Sequence, residues 1–500
     1  MAQMSCLSAM DSRDESVFAL TIGARGPEPA QAGQKHPWYT FACGLVLALS
    51  LALGIYRLGE PCLWFDEAAI WETIRGTWSQ FWSRVRSGED CGGCAHALVL
   101  RTACSLLGSS EFTMRLPSVL TGLGFVAVML TTGHFLWGRR AAICVGLLAA
   151  LHPEVICWSR QARAYSFEML GAALCLAFLL VEGKTSARAR GILLGAAASL
   201  VVLIHAFGVF FVVGVALFLL CSRLPWLATR QNGTESHLPL RPLGGALLLS
   251  AAWMVFMQSR IRQNLSDFWI KDSIVSNYRG VFQTNLPILP VYAALVLLGI
   301  ALLIQNHAQA RNRVVLCVFL LVILPVLGGP LGVSLVRSGT HNFILPRYFL
   351  PMIPLCLLPL GYLFSRLPSW SGVVASLGLG LCTLWVCDTA RLYGPSGYDA
   401  CNNRDALVCL TGMLGEGDRV IVYPGHQSLA LQYYKLPAAM VRAAWGQPAL
   451  QKLLESSEPD PAGRTWLAIY SATIDDELQA VGLENRPQWD FGNLHILQVK

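Results

Sequence analysis

Residues 191–222 read GILLGAAASLVVLIHAFGVFFVVGVALFLLCS. The run contains no Asp, Glu, Lys or Arg, and His205 is its one histidine. A membrane span takes about 20 apolar residues, so this stretch is either one overlong span or two short ones. As one span it would place Lys184, Arg188 and Arg190 on one face of the bilayer and Arg223, Arg230 and Arg241 on the other. As two spans turning at His205, it keeps both basic loops on one face. The excess of Lys and Arg in cytoplasmic loops selects the second reading.

Working outward from that turn, similar apolar runs cover 37–57, 116–137, 141–158, 165–182, 243–257, 286–304, 314–333, 347–364 and 370–388. With 191–204 and 206–222 they make about eleven transmembrane helices. Composition agrees: 54% of the 500 residues are hydrophobic and 13% charged, where a soluble domain is nearer a quarter charged. A chain this long and this apolar needs a bilayer around it. The formal net charge of +7 fits cytoplasmic loops facing anionic lipid. No basic run with interleaved aromatics points to nucleic acid. The 16 cysteines fall mostly inside apolar runs, as Cys43, Cys144, Cys175 and Cys317 do, where they are small apolar side chains. Cys91-Gly-Gly-Cys94 is a single close pair, a weak metal signal without a second pair.

Residues 1–36 are polar and mixed in charge and read as a disordered cytoplasmic tail. Residues 37–388 read as the transmembrane domain, with a first extracytoplasmic loop over 58–115. Residues 389–500 have soluble composition. Arg419–Tyr423, Trp466–Tyr470 and Leu494–Val499 read as strands, and His426–Tyr434 and Asp475–Val481 as helices. A small α/β domain is expected there, and an odd number of spans places it on the extracytoplasmic side.

The sharpest chemistry lies just after the first apolar run, in Leu63-Trp64-Phe65-Asp66-Glu67-Ala68. Two adjacent acids among aromatic residues at a membrane surface are costly without a task or a partner. Such a carboxylate can act as a general base or hold a divalent cation. The plainer alternative is that Asp66 caps the helix running from Ala68 toward Arg75. Four further places fall on the same expected side: Arg163 and Tyr165 in the segment from His152, His205 at the turn, Arg260 with Arg262, and Arg347 with Tyr348. Arginines on a translocated face oppose the usual charge bias, and an anionic head group would reward them. A single arginine there is more often a solvated charge paired with a nearby acid. It is the convergence of five places on one side that suits a lipid phosphate donor and a nucleophilic acceptor.

These residues resemble a family, the GT-C membrane glycosyltransferases of family 39, which includes protein O-mannosyltransferases and the lipid A aminoarabinose transferase. The resemblance rests on Trp64-Phe65-Asp66-Glu67, on Met114-Arg115-Leu116-Pro117-Ser118, on Leu136-Trp137-Gly138-Arg139-Arg140, on Ser159 to Tyr165, on His205-Ala206-Phe207-Gly208 and on Pro346-Arg347-Tyr348. It implies an inverting transfer from a polyprenyl-phosphate sugar to a glycan, lipid or protein acceptor on the outer face, in a bacterium at the inner membrane. Asp66 would then be the base and Glu67 its neighbour. Arg347 and Tyr348, with Arg260 and Arg262, would hold the carrier phosphate. His96, Arg163, Tyr165 and His205 would line the substrate site. Two departures stand out. Gln161 occupies the place of the usual acid in the second outer loop, and only His96 is kept from the His-Pro-Pro-type segment.

Two other classes of function compete. A transporter or flippase needs ionisable residues deep within its spans, and here Glu168 is the main one. A degenerate member acting as an envelope-assembly scaffold is the reading that Gln161 keeps open.

Overall fold

The structure is a computed structural model that describes residues 36–87, 94–181, 186–205, 207–223, 241–256, 274–285, 289–336, 344–368, 370–386, 393, 401–456, 463–471, 474–483 and 486–499. The first described helix is α1, Pro37–Ile55, whose proline sits in the first turn where its missing N–H costs nothing. Three shorter helices follow: α2 Phe65–Ile74, α3 Trp78–Ser87 and α4 Cys94–Leu107. Next come α5 Glu111–Trp137 and α6 Arg139–Ala150. Ser110 caps α5 by accepting from the Thr113 N–H at 3.1 Å. Gly138 ends it with φ +86°, a left-handed conformation that favours glycine.

Helix α7, Pro153–Ser159, is bent by 59° from α6. His152 makes the corner: its ring nitrogen accepts from the Glu154 N–H at 3.2 Å, and Pro153 opens the new helix. The bundle continues with α8 Tyr165–Leu180, α9 Ala187–Ile204 and α10 Gly208–Cys221. The long apolar run does break at His205, which is extended and closes α9. Helices α11 Arg241–Phe256, α12 Ile274–Asn285, α13 Leu289–Gln305 and α14 Ala310–Val336 lead to a 3-10 segment, Pro346–Met352. That segment runs into α15, Ile353–Ser365, and α16, Ser371–Val386, follows.

Among the described residues five helices are long and apolar enough to cross a membrane, and the bent pair α6–α7 makes a sixth. The apolar helices over 94–107, 165–180, 208–221, 290–305 and 371–386 are shorter. At 1.5 Å per residue, such helices reach only about 20–25 Å, less than a hydrocarbon core of about 30 Å. Most of the bundle helices share one large apolar core, and α2, α3 and α4 pack in a separate, smaller cluster. Close backbone approach is built on small residues: a Cβ at Gly214 would stand 2.6 Å from the Val322 Cα, and one at Gly299 would stand 2.4 Å from the Pro359 carbonyl oxygen. At the Trp137 end of α5, the indole donates to Asn312 Oδ1 at 3.0 Å, and Asn312 donates to Tyr362 at 3.2 Å.

After the bundle, α17 Asn403–Met413 leads into a five-stranded sheet of order β2-β1-β3-β5-β4. Strand β1, Arg419–Tyr423, lies parallel to β2, Val441–Ala443, and to β3, Thr465–Tyr470. Strand β5, Leu494–Gln498, is antiparallel to β3 and to β4, Gln488–Phe491. Helices α18 Ser428–Tyr433, α19 Gln447–Ser456 and α20 Ile474–Val481 complete the unit. Side chains alternate along the strands. Val420, Val422, Trp466 and Ile496 enter one apolar cluster, while Ile421, Leu467 and Leu497 enter the other. Strands β1, β3 and β5 coincide with the runs read from sequence. Strands β2 and β4 were not anticipated, because their short, half-exposed patterns carry little apolar signal.

Candidate active site

The segment before α2 is held by a buried arginine. Arg115, on the second turn of α5, donates from Nη1 to the carbonyls of Leu58 at 3.0 Å and Pro61 at 2.7 Å, and from Nη2 to that of Cys62 at 3.0 Å. Its guanidinium also meets Glu67 as a fork: Nε reaches Oε1 at 2.8 Å and Nη2 reaches Oε2 at 2.6 Å. Glu67 is fully buried. Its Oε1 accepts in addition from the Ala162 N–H at 2.7 Å. A bidentate, desolvated pair of this kind fixes geometry. It ties together the end of α1, the start of α2, α5 and the loop after α7.

Asp66, the next residue back, faces a different environment. It does not cap α2: Trp64 is the capping residue, and Asp66 lies inside the first turn, where the helix dipole favours a negative charge. Two guanidiniums flank its carboxylate. Arg163 Nη2 stands 3.6 Å and Arg347 Nη2 3.8 Å from Oδ2. That oxygen is buried and has no hydrogen-bond partner among the described residues. Arg163 is anchored separately, donating to the Asp66 carbonyl at 3.1 Å. The corner after α7 and the 3-10 turn at Pro346 bring these arginines to the first loop from distant parts of the sequence. One carboxylate between two cations leaves an excess of positive charge in a largely desolvated place.

Aromatic rings adjoin this centre. Tyr165 packs edge-on against Trp158 at 4.4 Å. His205 lies 4.8 Å from the Tyr348 ring and 5.6 Å from the Tyr165 ring, and Tyr348 stacks on Phe207 at 4.6 Å. Glu168, in the first turn of α8, is fully buried, and His205 Nδ1 is 4.0 Å away. Neither of its carboxyl oxygens has a hydrogen-bond partner among the described residues.

The structure thus brings Asp66, Arg163, Tyr165, His205, Arg347 and Tyr348 to one place. Glu67 is adjacent but engaged with Arg115. His96 lies on α4, packed edge-on to Phe167 at 5.2 Å, and its buried Nε2 has no partner among the described residues. Burial, and then the charge of Arg163, hold its pKa below the usual imidazole range. Gln161 is buried and donates to the Cys157 sulfur at 3.2 Å; its Oε1 has no partner among the described residues. Arg260 and Arg262 lie outside the described residues, as does Cys91. Among the described residues no three of His, Cys, Asp and Glu stand together as a metal centre would need.

Sequence reasoning missed three contributors. Arg115 was quoted only as part of a motif; a lone charge at the start of an apolar run was the available signal. His426, just before α18, packs edge-on against Phe65 at 4.5 Å. Burial lowers its pKa, and the charge of Asp66 acts in the opposite direction. Tyr434, after α18, accepts from the Leu63 N–H at 2.9 Å. Nothing in the local sequence of a soluble helix points to a loop so far away.

Comparison with known proteins bears on this geometry. Residues 93–235 match the family described as dolichyl-phosphate-mannose-protein mannosyltransferase. The fold is similar to that of ArnT from Cupriavidus metallidurans, with TM-score 0.60 at 14% identity over 92% of this chain and 98% of that one. The same protein bound to undecaprenyl phosphate matches with TM-score 0.58 at 14% identity, over 93% of this chain and 98% of that one. The Archaeoglobus fulgidus oligosaccharyltransferase matches with TM-score 0.52 at 10% identity, over 90% of this chain and 71% of that one. A curated relative, UPF0182 protein tll1193 of Thermosynechococcus vestitus, is 30% identical over 105 residues, which is 20% of this chain and only 11% of that protein's length. The family match is confined to residues 93–235, while the similarity of fold to ArnT runs along most of the chain.

Proposed function

We propose that the protein transfers a glycosyl unit from a polyprenyl-phosphate carrier to an acceptor, with Asp66 as general base and Arg163 and Arg347 as the phosphate clamp. The observation that carries this reading is the Asp66 carboxylate, whose buried Oδ2 is flanked by two guanidiniums at 3.6 and 3.8 Å and hydrogen-bonded by neither. Such a site is cationic and largely enclosed, as a place prepared for an anion should be.

Donor binding gives the guanidiniums a better partner. A phosphate offers several oxygens to two planar forks. The Asp66 carboxylate is then released toward the acceptor. The acceptor's oxygen or nitrogen attacks the anomeric carbon, and its proton passes to Asp66. The bond from the anomeric carbon to the phosphate oxygen breaks, and its electron pair leaves with the carrier phosphate, where the arginines hold the added charge. A single in-line displacement inverts the anomeric centre. Tyr165, His205 and Tyr348 supply ring faces and polar edges beside the reacting carbon, and His96 lines the site from α4. Arg260 and Arg262 belong to the same proposed clamp.

Support comes from the family description, which names a lipid-phosphate sugar donor, and from ArnT, a protein of similar fold captured with undecaprenyl phosphate. We place the site and the sheet domain together on the extracytoplasmic side, because both pack on the segment that precedes α2. A bacterial inner membrane is the setting we propose. The acceptor is a glycan, lipid or protein nucleophile.

The test is turnover in nanodiscs with a panel of polyprenyl-phosphate sugars, following release of the carrier phosphate. Release from a member of the panel, and none from the matching nucleotide sugar alone, is the expected result. Turnover driven by a nucleotide sugar without the lipid carrier would contradict the reading.

A further inference from the structure

The Asp66 carboxylate has no hydrogen bond at Oδ2 among the described residues. What places it is therefore its backbone, and three residues upstream that backbone is held by the domain that follows the bundle. Leu63 is fully buried. Its N–H donates to the Tyr434 hydroxyl at 2.9 Å, and its carbonyl accepts from Asn403 Nδ2 at 3.1 Å. Both partners are themselves fixed. The Tyr434 hydroxyl donates to Glu111 Oε1 at 3.1 Å, and the Tyr470 hydroxyl donates to Asn403 Oδ1 at 2.8 Å. Arg404 closes the joint, reaching Glu111 at 2.5 Å and the Glu60 carbonyl at 3.2 Å.

The same stretch is gripped from the bundle side by Arg115. Hydrogen bonds from the sheet domain fall on the residues just before Asp66 and on Glu111 at the start of α5, and Tyr433 packs edge-on against Trp71 of α2 at 5.2 Å. A domain serving only as a soluble appendage needs no such grip. A reacting carboxylate does, because a displacement of about 1 Å at a catalytic group costs on the order of a hundredfold in rate.

We propose that Tyr434 is a positioning residue for Asp66, acting through the Leu63 peptide, so that the C-terminal sheet domain completes the active site. This rests on Asp66 being the base. A buried Leu63 N–H left without its acceptor can be satisfied only by a shift of the chain. That shift carries the start of α2, and Asp66 with it.

The experiment is Tyr434→Phe in the full-length protein in nanodiscs, with kcat and donor KM read from carrier-phosphate release and a melting curve read in parallel. The expected result is a kcat lowered by roughly tenfold or more, with donor KM and melting temperature close to wild type. A kcat per folded molecule equal to wild type overturns the proposal, whether or not stability falls, since a merely structural tyrosine would change only the amount of folded protein. Asn403→Asp provides the second variant: it keeps an acceptor for Tyr470 and removes the donor to Leu63. It is expected to lower kcat in the same way, and an unchanged kcat there also counts against the proposal should Tyr434→Phe fail to fold. Asp66→Asn is measured alongside. If that variant keeps full turnover, the base assignment itself is wrong; if it is inactive while Tyr434→Phe is not impaired, only the positioning role falls.

Discussion

Asp66 and Glu67 are chain neighbours of the same chemical type, and the fold treats them in opposite ways. Glu67 is fully enclosed, shares two hydrogen bonds with Arg115 and takes a third from the Ala162 backbone. Asp66 has two cations within 4 Å and a hydrogen bond to neither. Satisfied charge and unsatisfied charge thus lie side by side. The first region spends its polar groups on holding four segments together, and nothing is left over for a ligand. The second leaves Asp66 Oδ2 without a hydrogen bond among the described residues. Buried polar atoms in native proteins are almost always paired, so the exceptions mark places where structure alone is not the purpose.

That contrast can be broken by substitution. Glu67→Gln leaves the Arg115 guanidinium buried without its counter-charge, and the expected cost is about 3–5 kcal/mol of stability, read as a large fall in melting temperature or in folded yield. Turnover per folded molecule should survive. A Glu67→Gln protein of normal stability that has lost turnover would reverse the roles of the two acids. Arg347→Ala should leave the fold intact and lower donor turnover by roughly a hundredfold. Arg347→Lys should recover only part of that loss, since an ammonium keeps the charge and not the fork. Equal turnover in all three forms would remove Arg347 from the clamp.

The smallest effect is expected far from the site, where it serves as the control for a purely structural acid. Asp418 is buried at the start of β1. Burial acts to raise its pKa, but hydrogen bonds from the Gly415 and Arg464 N–H groups and from the Trp466 indole outweigh burial and lower it. A carboxyl depressed on folding contributes stability above its unfolded pKa of about 3.9, and the contribution is lost as pH falls below that through the folded value. Asp418→Asn should therefore cost about 1 kcal/mol at neutral pH, with the difference from wild type fading in acid. A pH-independent difference in unfolding midpoint would contradict that assignment.

Much of this was legible from the sequence, for reasons that differ by region. The helices and the break at His205 follow from apolar run length and from the side on which basic loops gather. The acid pair was visible because charge beside a membrane is expensive. Strands β1, β3 and β5 were visible as apolar runs buried on both faces. The span count was less legible: several apolar helices are shorter than the runs that contain them, since the corner at His152 and the 3-10 turn at Pro346 interrupt them. The contrast between the surroundings of Asp66 and Glu67 was not legible at all. It depends on Arg115, Arg163 and Arg347, which spacing along the chain does not bring together. The contact between Leu63 and Tyr434 joins residues 371 positions apart, and no periodicity reports it.

The central claim is that Asp66 does chemistry and Glu67 holds structure. The most direct test is the single-turnover rate of carrier-phosphate release from a bound polyprenyl-phosphate sugar, measured for Asp66→Asn and Glu67→Gln in nanodiscs and normalised to folded protein. The account predicts a loss of about 10²–10⁴-fold for Asp66→Asn, the range for removing a general base, with donor still bound, and a rate near wild type for Glu67→Gln. A fast Asp66→Asn enzyme beside a dead but folded Glu67→Gln enzyme would contradict it.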